Sequence, residues 1–102
     1  MIRWLMNHKI IILESAEYDL KELKNYIIKN FSFKIWQHSY RKIKEAIRNL
    51  KTFPYAGSIP EELSLLNLNH YRQIVSGMNR IIYEVRGDCV YIHIIADTRQ
   101  DF

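Results

Sequence analysis

The sequence is poor in residues that break or cross-link a chain, with one cysteine, two prolines and three glycines among 102 positions. A lone Cys89 closes no internal disulfide. Four scattered histidines (His8, His38, His70, His93) give no metal-ligand spacing, so neither redox nor zinc chemistry is signalled and no metal is expected. The longest apolar run, Ile10 to Leu13, is far short of the roughly 18 residues a membrane helix needs. Met1 to Met6 carries Arg3 as its charge and no apolar segment of signal-peptide length follows, so a cytoplasmic location is expected. A Gly-rich phosphate loop, a serine elbow and a His-Glu-x-x-His pattern are all missing, which removes the common nucleotide-binding and hydrolase signatures. Cys89, beside a tight turn, reads as a plain strand residue and not as a nucleophile.

What is present is an ordinary globular composition: 48% hydrophobic, 25% charged and 13% aromatic residues, at a length that suits one domain over 1–102. Periodicity divides the chain into three regions. Lys9 to Leu13 is a continuous β-branched run, suited to a short strand buried on both sides. Ser15 is placed to cap a helix over about Ala16 to Lys29, with Glu17 and Asp19 in its first turn and Ala16, Leu20, Leu23 and Ile27 as its apolar stripe. After a break at Asn30 to Ser32, Trp36, Tyr40, Ile43, Ile47 and Leu50 step by 4, 3, 4 and 3 until Phe53 and Pro54. Two amphipathic helices so joined pack as an antiparallel hairpin.

Phe53 to Asn69 holds both prolines and Gly57, so it reads as a loop with one turn of helix at Glu61 to Leu66. A meander follows: Tyr71 to Val75, a Ser76-Gly77 turn, Asn79 to Arg86, a Gly87-Asp88 turn and Cys89 to Asp97. If Arg86 faces Cys89, then 84 faces 91, 82 faces 93 and 80 faces 95. Ile81, Tyr83, Val85, Val90, Ile92, Ile94 and Ala96 then form a charge-free face over the helices. Arg80, Ile82, Glu84, Arg86, Cys89, Tyr91, His93, Ile95 and Asp97 form a mixed polar face. Arg72 falls on either face, depending on whether the Ser76-Gly77 turn has two residues or a third, Met78.

The formal charge is +4, and the excess lies in residues 31–56, which hold six basic side chains and one acidic. Arg41, Lys44, Arg48 and Lys51 form a basic stripe about 100° round the second helix from the buried one. Such a stripe is either a solvated face or one that meets phosphate or an acidic partner. His93 on the polar face has two readings, an acid or base working near neutrality or a half-exposed strand histidine without a role. Tyr71 and Tyr83 read as core aromatics with hydrogen-bonded hydroxyls.

The order of these elements, with Ser-Ala-Glu-Tyr-Asp-Leu opening the first helix, Leu50-Lys51-Thr52-Phe53-Pro54 with Gly57, Tyr71-Arg72-Gln73-Ile74-Val75, Arg80 to Val85 and Asp97-Thr98-Arg99-Gln100-Asp101, resembles the RelE/ParE toxin superfamily. The resemblance runs from about Lys9 to Asp101. It implies an α+β fold, βααβββ, with a helical hairpin packed on a mostly antiparallel sheet. It further implies the toxin half of a bacterial type II toxin-antitoxin pair, with a cognate antitoxin as partner and no cofactor. RelE-like members are ribosome-dependent mRNA endoribonucleases, and ParE-like members are reported as DNA gyrase inhibitors.

By motif match Arg72, Arg80 and Arg99 stand where family arginines recur, and the face arithmetic sets Arg80 beside His93 and Asp97. For an RNase, Arg72, Arg80, His93 and Arg99 would be the catalytic set. As a target-binding surface the candidates are Arg72, Arg80, Tyr91, His93, Asp97 and Arg99; for the antitoxin they are Arg41, Lys44 and Arg48. The sparse lysines of the second strand, the long hairpin and the Phe53-Pro54-x-x-Gly57 loop favour the ParE-like branch. A non-toxic interaction module is a third reading. Residues 1–8 read as an optional extension, and the end at Phe102 as a shortened tail.

Overall fold

The computed structural model describes residues 7–99. Its elements are β1 (Lys9–Ile12), α1 (Glu14–Asn30), α2 (Phe33–Asn49), α3 (Glu61–Ser64), β2 (Tyr71–Ser76), β3 (Asn79–Arg86) and β4 (Cys89–Asp97). The four strands form one sheet in the order β1-β4-β3-β2, antiparallel except where β1 runs parallel to β4. This is the expected α+β, strand-helix-helix-three-strand arrangement. Among the described residues no helix is long and apolar enough to cross a membrane. The expectations about a 1–8 extension and a shortened tail lie largely outside the described residues. Of the former, only Asn7 and His8 are described, and the His8 N–H donates to the Lys51 carbonyl at 2.9 Å.

The apolar spacing read from the helices is the core. Ala16, Leu23 and Ile27 of α1 and Trp36, Ile43 and Ile47 of α2, with Leu50 just beyond it, are buried against Ile81, Tyr83, Val90, Ile92 and Ile95. Each such aliphatic side chain contributes about 1.5–3 kcal/mol by leaving water. Ser32 caps α2, its hydroxyl accepting the Ile35 N–H at 3.1 Å.

Three expectations are corrected. First, β1 is an edge strand and so is not buried on both sides; Ile10 and Ile11 are half-buried while Lys9 and Ile12 are exposed. Second, Ser15 does not cap α1. Leu13 occupies the cap without a side-chain bond, and the Ser15 hydroxyl donates to the His93 carbonyl at 2.8 Å. The Asp19 carboxylate accepts the Ile95 N–H at 3.0 Å. β1 pairs β4 only as far as Ile92, so these two α1 side chains satisfy backbone groups on the edge of β4 that β1 no longer covers.

Third, the β3–β4 register matches the expected one only from Arg86↔Cys89 to Tyr83↔Ile92. Ile82 then pairs with Ile94, which leaves His93 as the extra residue of a β-bulge. Beyond it every side chain changes face. Ile95 is buried at 2% exposure where Ile94, expected inside, is 41% exposed, and Asp97 is buried instead of lying on the polar face beside Arg80. The β2–β3 turn is Gly77-Met78, with Ser76 opposite Asn79, so Arg72 stands opposite Tyr83 on the helix-covered side.

Candidate functional site

The uncovered sheet face carries Tyr71, Gln73 and Val75 of β2 opposite Glu84, Ile82 and Arg80 of β3, with Tyr91 and Ile94 of β4 beyond. The short α3 stands over it. Glu62 of α3 is bonded to the Arg80 guanidinium, whose Nε also donates to the Gln73 side-chain oxygen. The guanidinium holds the Glu62 carboxyl below its ordinary pKa. Leu63 faces Ile82 across a cavity of about 210 Å³, also lined by Ser15, Tyr71, His93 and Ile94. The sheet face is therefore partly roofed, and Ile82 is buried at 8% exposure.

At the other end of the face, His93 Nε2 lies 3.0 Å from a Glu84 oxygen, and Arg86 approaches the same oxygen at 3.5 Å. The Tyr71 ring meets His93 edge-on at 5.1 Å between centroids, His70 lies against Tyr71 at 4.2 Å, and the Arg86 guanidinium covers Tyr91 at 4.2 Å. A histidine on a carboxylate beside a tyrosine can hold or pass a proton. Phosphate capture is a different matter, because it needs cations without a fixed counter-ion. Here Arg80 faces Glu62, and Arg86 shares Glu84 with His93. Among the described residues no group of three His, Cys, Asp or Glu side chains is set to hold a metal ion.

The other two arginines expected with Arg80 lie elsewhere. Arg72 Nη1 donates to the Gly57 carbonyl at 2.7 Å, and its guanidinium stands over the Tyr55 ring at 5.1 Å. Arg99 forms a two-pronged pair with the buried Asp97, Nε to Oδ1 at 2.8 Å, and lies over the Phe31 ring at 4.5 Å. Hydrogen bonding from Arg99 draws the Asp97 carboxyl below its usual range, and the same bond raises the Arg99 pKa. Arg80 and His93 are thus the members of the expected set that share the sheet face, each with its own carboxylate. The Arg80, His93, Asp97 grouping is dissolved by the bulge.

Arg41, Lys44 and Arg48 do form an exposed stripe along α2, spanning about 10 Å at 1.5 Å per residue. Arg41 reaches the His38 ring at 3.1 Å and Lys44 covers Tyr40 at 4.6 Å. Two participants were not singled out as site residues from the sequence. Glu84 lay on the expected polar face without being assigned a role, and Glu62, from a distant loop, carried no local signal.

Residues 10–102 match the family described as the ParE toxin of the type II toxin-antitoxin system, parDE. The chain belongs to the ParE toxin family. Two solved structures share the ParE-family fold. A chain of the chromosomal ParDE toxin-antitoxin system from P. aeruginosa superposes with a TM-score of 0.73 at 15% identity, covering 88% of this chain and 95% of that one. A chain of the RelBE2 toxin-antitoxin complex from Mycobacterium tuberculosis superposes at 0.57 and 15% identity, covering 91% and 93%. No curated protein matches the sequence.

Proposed function

We propose that this ParE-family toxin arrests bacterial growth by binding an essential target, DNA gyrase, and that a cognate antitoxin neutralises it. The observation that carries this reading is the state of the sheet arginines. Arg72 and Arg99 are built into the fold away from the uncovered face, and Arg80 is occupied by Glu62 and Gln73. A ribonuclease would need such groups converging on one phosphate, where a donor aimed at developing charge is typically worth about 2.7–4 kcal/mol. The exposed Arg41, Lys44 and Arg48 supply a surface for an acidic antitoxin segment. Purified toxin is expected to slow gyrase supercoiling in proportion to its concentration. Normal supercoiling at large molar excess contradicts the gyrase assignment.

A ribosome-dependent endoribonuclease is the second reading, and the His93–Glu84 pair beside Tyr71 favours it. That reading requires His93→Ala and Arg80→Ala each to abolish toxicity in folded protein. Binding to gyrase requires neither to act through loss of catalysis.

A further inference from the structure

Phosphate capture needs cations without a fixed counter-ion, and the surface that meets this requirement is α2, not the sheet. Residues 31–56 hold six cations against the single acid Glu45, all of them exposed. The ion pairs among the described residues are Arg80 with Glu62, Arg86 and His93 with Glu84, and Arg99 with Asp97, so none of the six cations is paired, even with Glu45. Arg41, Lys44, Arg48 and Lys51 recur by 3, 4 and 3, about 100° round the helix from the buried Trp36, Ile43 and Ile47. Arg41 donates to His38 Nδ1 at 3.1 Å and the Lys44 ammonium lies 4.6 Å from the centre of the Tyr40 ring. Both partners are neutral rings, which leave the charges uncancelled.

At 1.5 Å per residue, Arg41 and Lys51 stand about 15 Å apart along the helix. One strand of duplex DNA presents a phosphate about every 3.4 Å of its axis, so this span matches about four successive phosphates. The stripe also lacks what other partners require. A folded protein partner is held by a desolvated apolar centre, but the apolar side chains Trp36, Ile43 and Ile47 of α2 are buried in the core. Single-stranded nucleic acid stacks its bases on aromatic rings, but Tyr40 is stacked on Trp36 at 5.2 Å and covered by Lys44. A duplex backbone needs neither, only a row of uncommitted cations.

We infer that this stripe of α2 grips the phosphate backbone of duplex DNA without reading its sequence. The inference deepens the gyrase reading and rests on it only for where the duplex is met, on the enzyme that carries it. An acidic antitoxin segment on Arg41, Lys44 and Arg48 competes with the DNA for the same charges.

The test is fluorescence anisotropy of a labelled duplex of about 20 base pairs, titrated with the full chain in 50 mM and 200 mM salt. With three to four phosphates neutralised, affinity should fall roughly 40- to 150-fold between the two conditions. Arg41→Gln, Lys44→Gln and Arg48→Gln alter exposed side chains and so keep the fold; each should lower affinity in 50 mM salt about tenfold and reduce the salt slope by about 0.9. Lys21→Gln removes the same charge from an exposed position on α1 and should leave affinity and slope close to the parent's. An equal loss in Lys21→Gln overturns the inference, because binding would then follow net charge and not the stripe. No binding in 50 mM salt overturns it as well, as does tighter binding of single-stranded RNA or of a poly-glutamate peptide than of the duplex. The chain is tested alone, so a failure here leaves gyrase inhibition standing. Duplex binding with normal supercoiling at large molar excess removes the gyrase reading alone.

Discussion

Two regions of the sheet carry arginines, and they use them in opposite ways. On the helix-covered side the segment Phe53 to Ser58 is fastened to β2 and β3. The Gly57 N–H donates to the buried Tyr83 hydroxyl at 2.9 Å, the Gly57 carbonyl accepts from Arg72, and Ser58 pairs with Gln73 through two backbone bonds of 2.7 and 3.1 Å. On the uncovered side Arg86 is largely exposed beside the mostly buried Glu84, and Arg80, about one-third exposed, is held by the exposed Glu62. The contrast teaches that an arginine recurring in a sheet motif is as readily a fastener for a loop as a contact for a target. Burial and partner decide which.

Gly57→Ala should break the fastened side most severely. A Cβ there would lie 2.5 Å from the Gln73 carbonyl oxygen and 2.7 Å from the Tyr83 hydroxyl, and the first of these is backbone that cannot swing away. We expect a loss of about 2–3 kcal/mol in urea unfolding, the upper part of the overpacking range. Tyr83→Phe should follow at about 1–3 kcal/mol, because it leaves the buried Gly57 N–H without an acceptor. Burial also raises the Tyr83 pKa, so the hydroxyl stays protonated across the physiological range and the latch is insensitive to pH there.

Asp97 makes an intermediate test. Its carboxyl is held low by Arg99, so the stability it contributes is present above the ordinary aspartate range near 4 and is lost as pH falls through the depressed folded value. Stability measured below pH 4 should fall more steeply in the parent than in Arg99→Gln, which should itself be less stable at neutral pH. A parallel acid profile in the two proteins would contradict the pairing. Smallest of all should be Arg80→Ala, whose partner Glu62 is exposed. Its unfolding midpoint should stay close to the parent's, and, if the toxin acts by binding without cutting RNA, induced cells should still arrest.

Much of the fold was legible because it rests on spacing. The 4, 3, 4 and 3 steps of Trp36 to Leu50 name the buried stripe of α2, apart from the half-open Tyr40, and the Gly87-Asp88 turn gives the correct β3–β4 register for four residue pairs. The bulge was not legible to a reading that assumes unbroken alternation, since one inserted residue at His93 reverses every face after it. A signal existed in the adjacent Ile94 and Ile95, which strict alternation cannot both bury. The site suffered more than the fold from this single residue. It separated Asp97 from Arg80, while the roles of Arg72 and Arg80 depend on Gly57 and Glu62, loop residues far away in the chain whose docking no local pattern announces.

If Arg72 and Arg99 serve the fold and no arginine set on the open face cuts RNA, growth arrest comes from binding gyrase. Inducing the chain in growing bacteria without antitoxin, and following thymidine and leucine incorporation side by side over the first minutes, tests it most directly. Thymidine incorporation should fall first with leucine trailing behind. An early fall in leucine with thymidine unaffected would contradict the account and direct attention to His93, Glu84 and Arg80 as ribosome-facing residues.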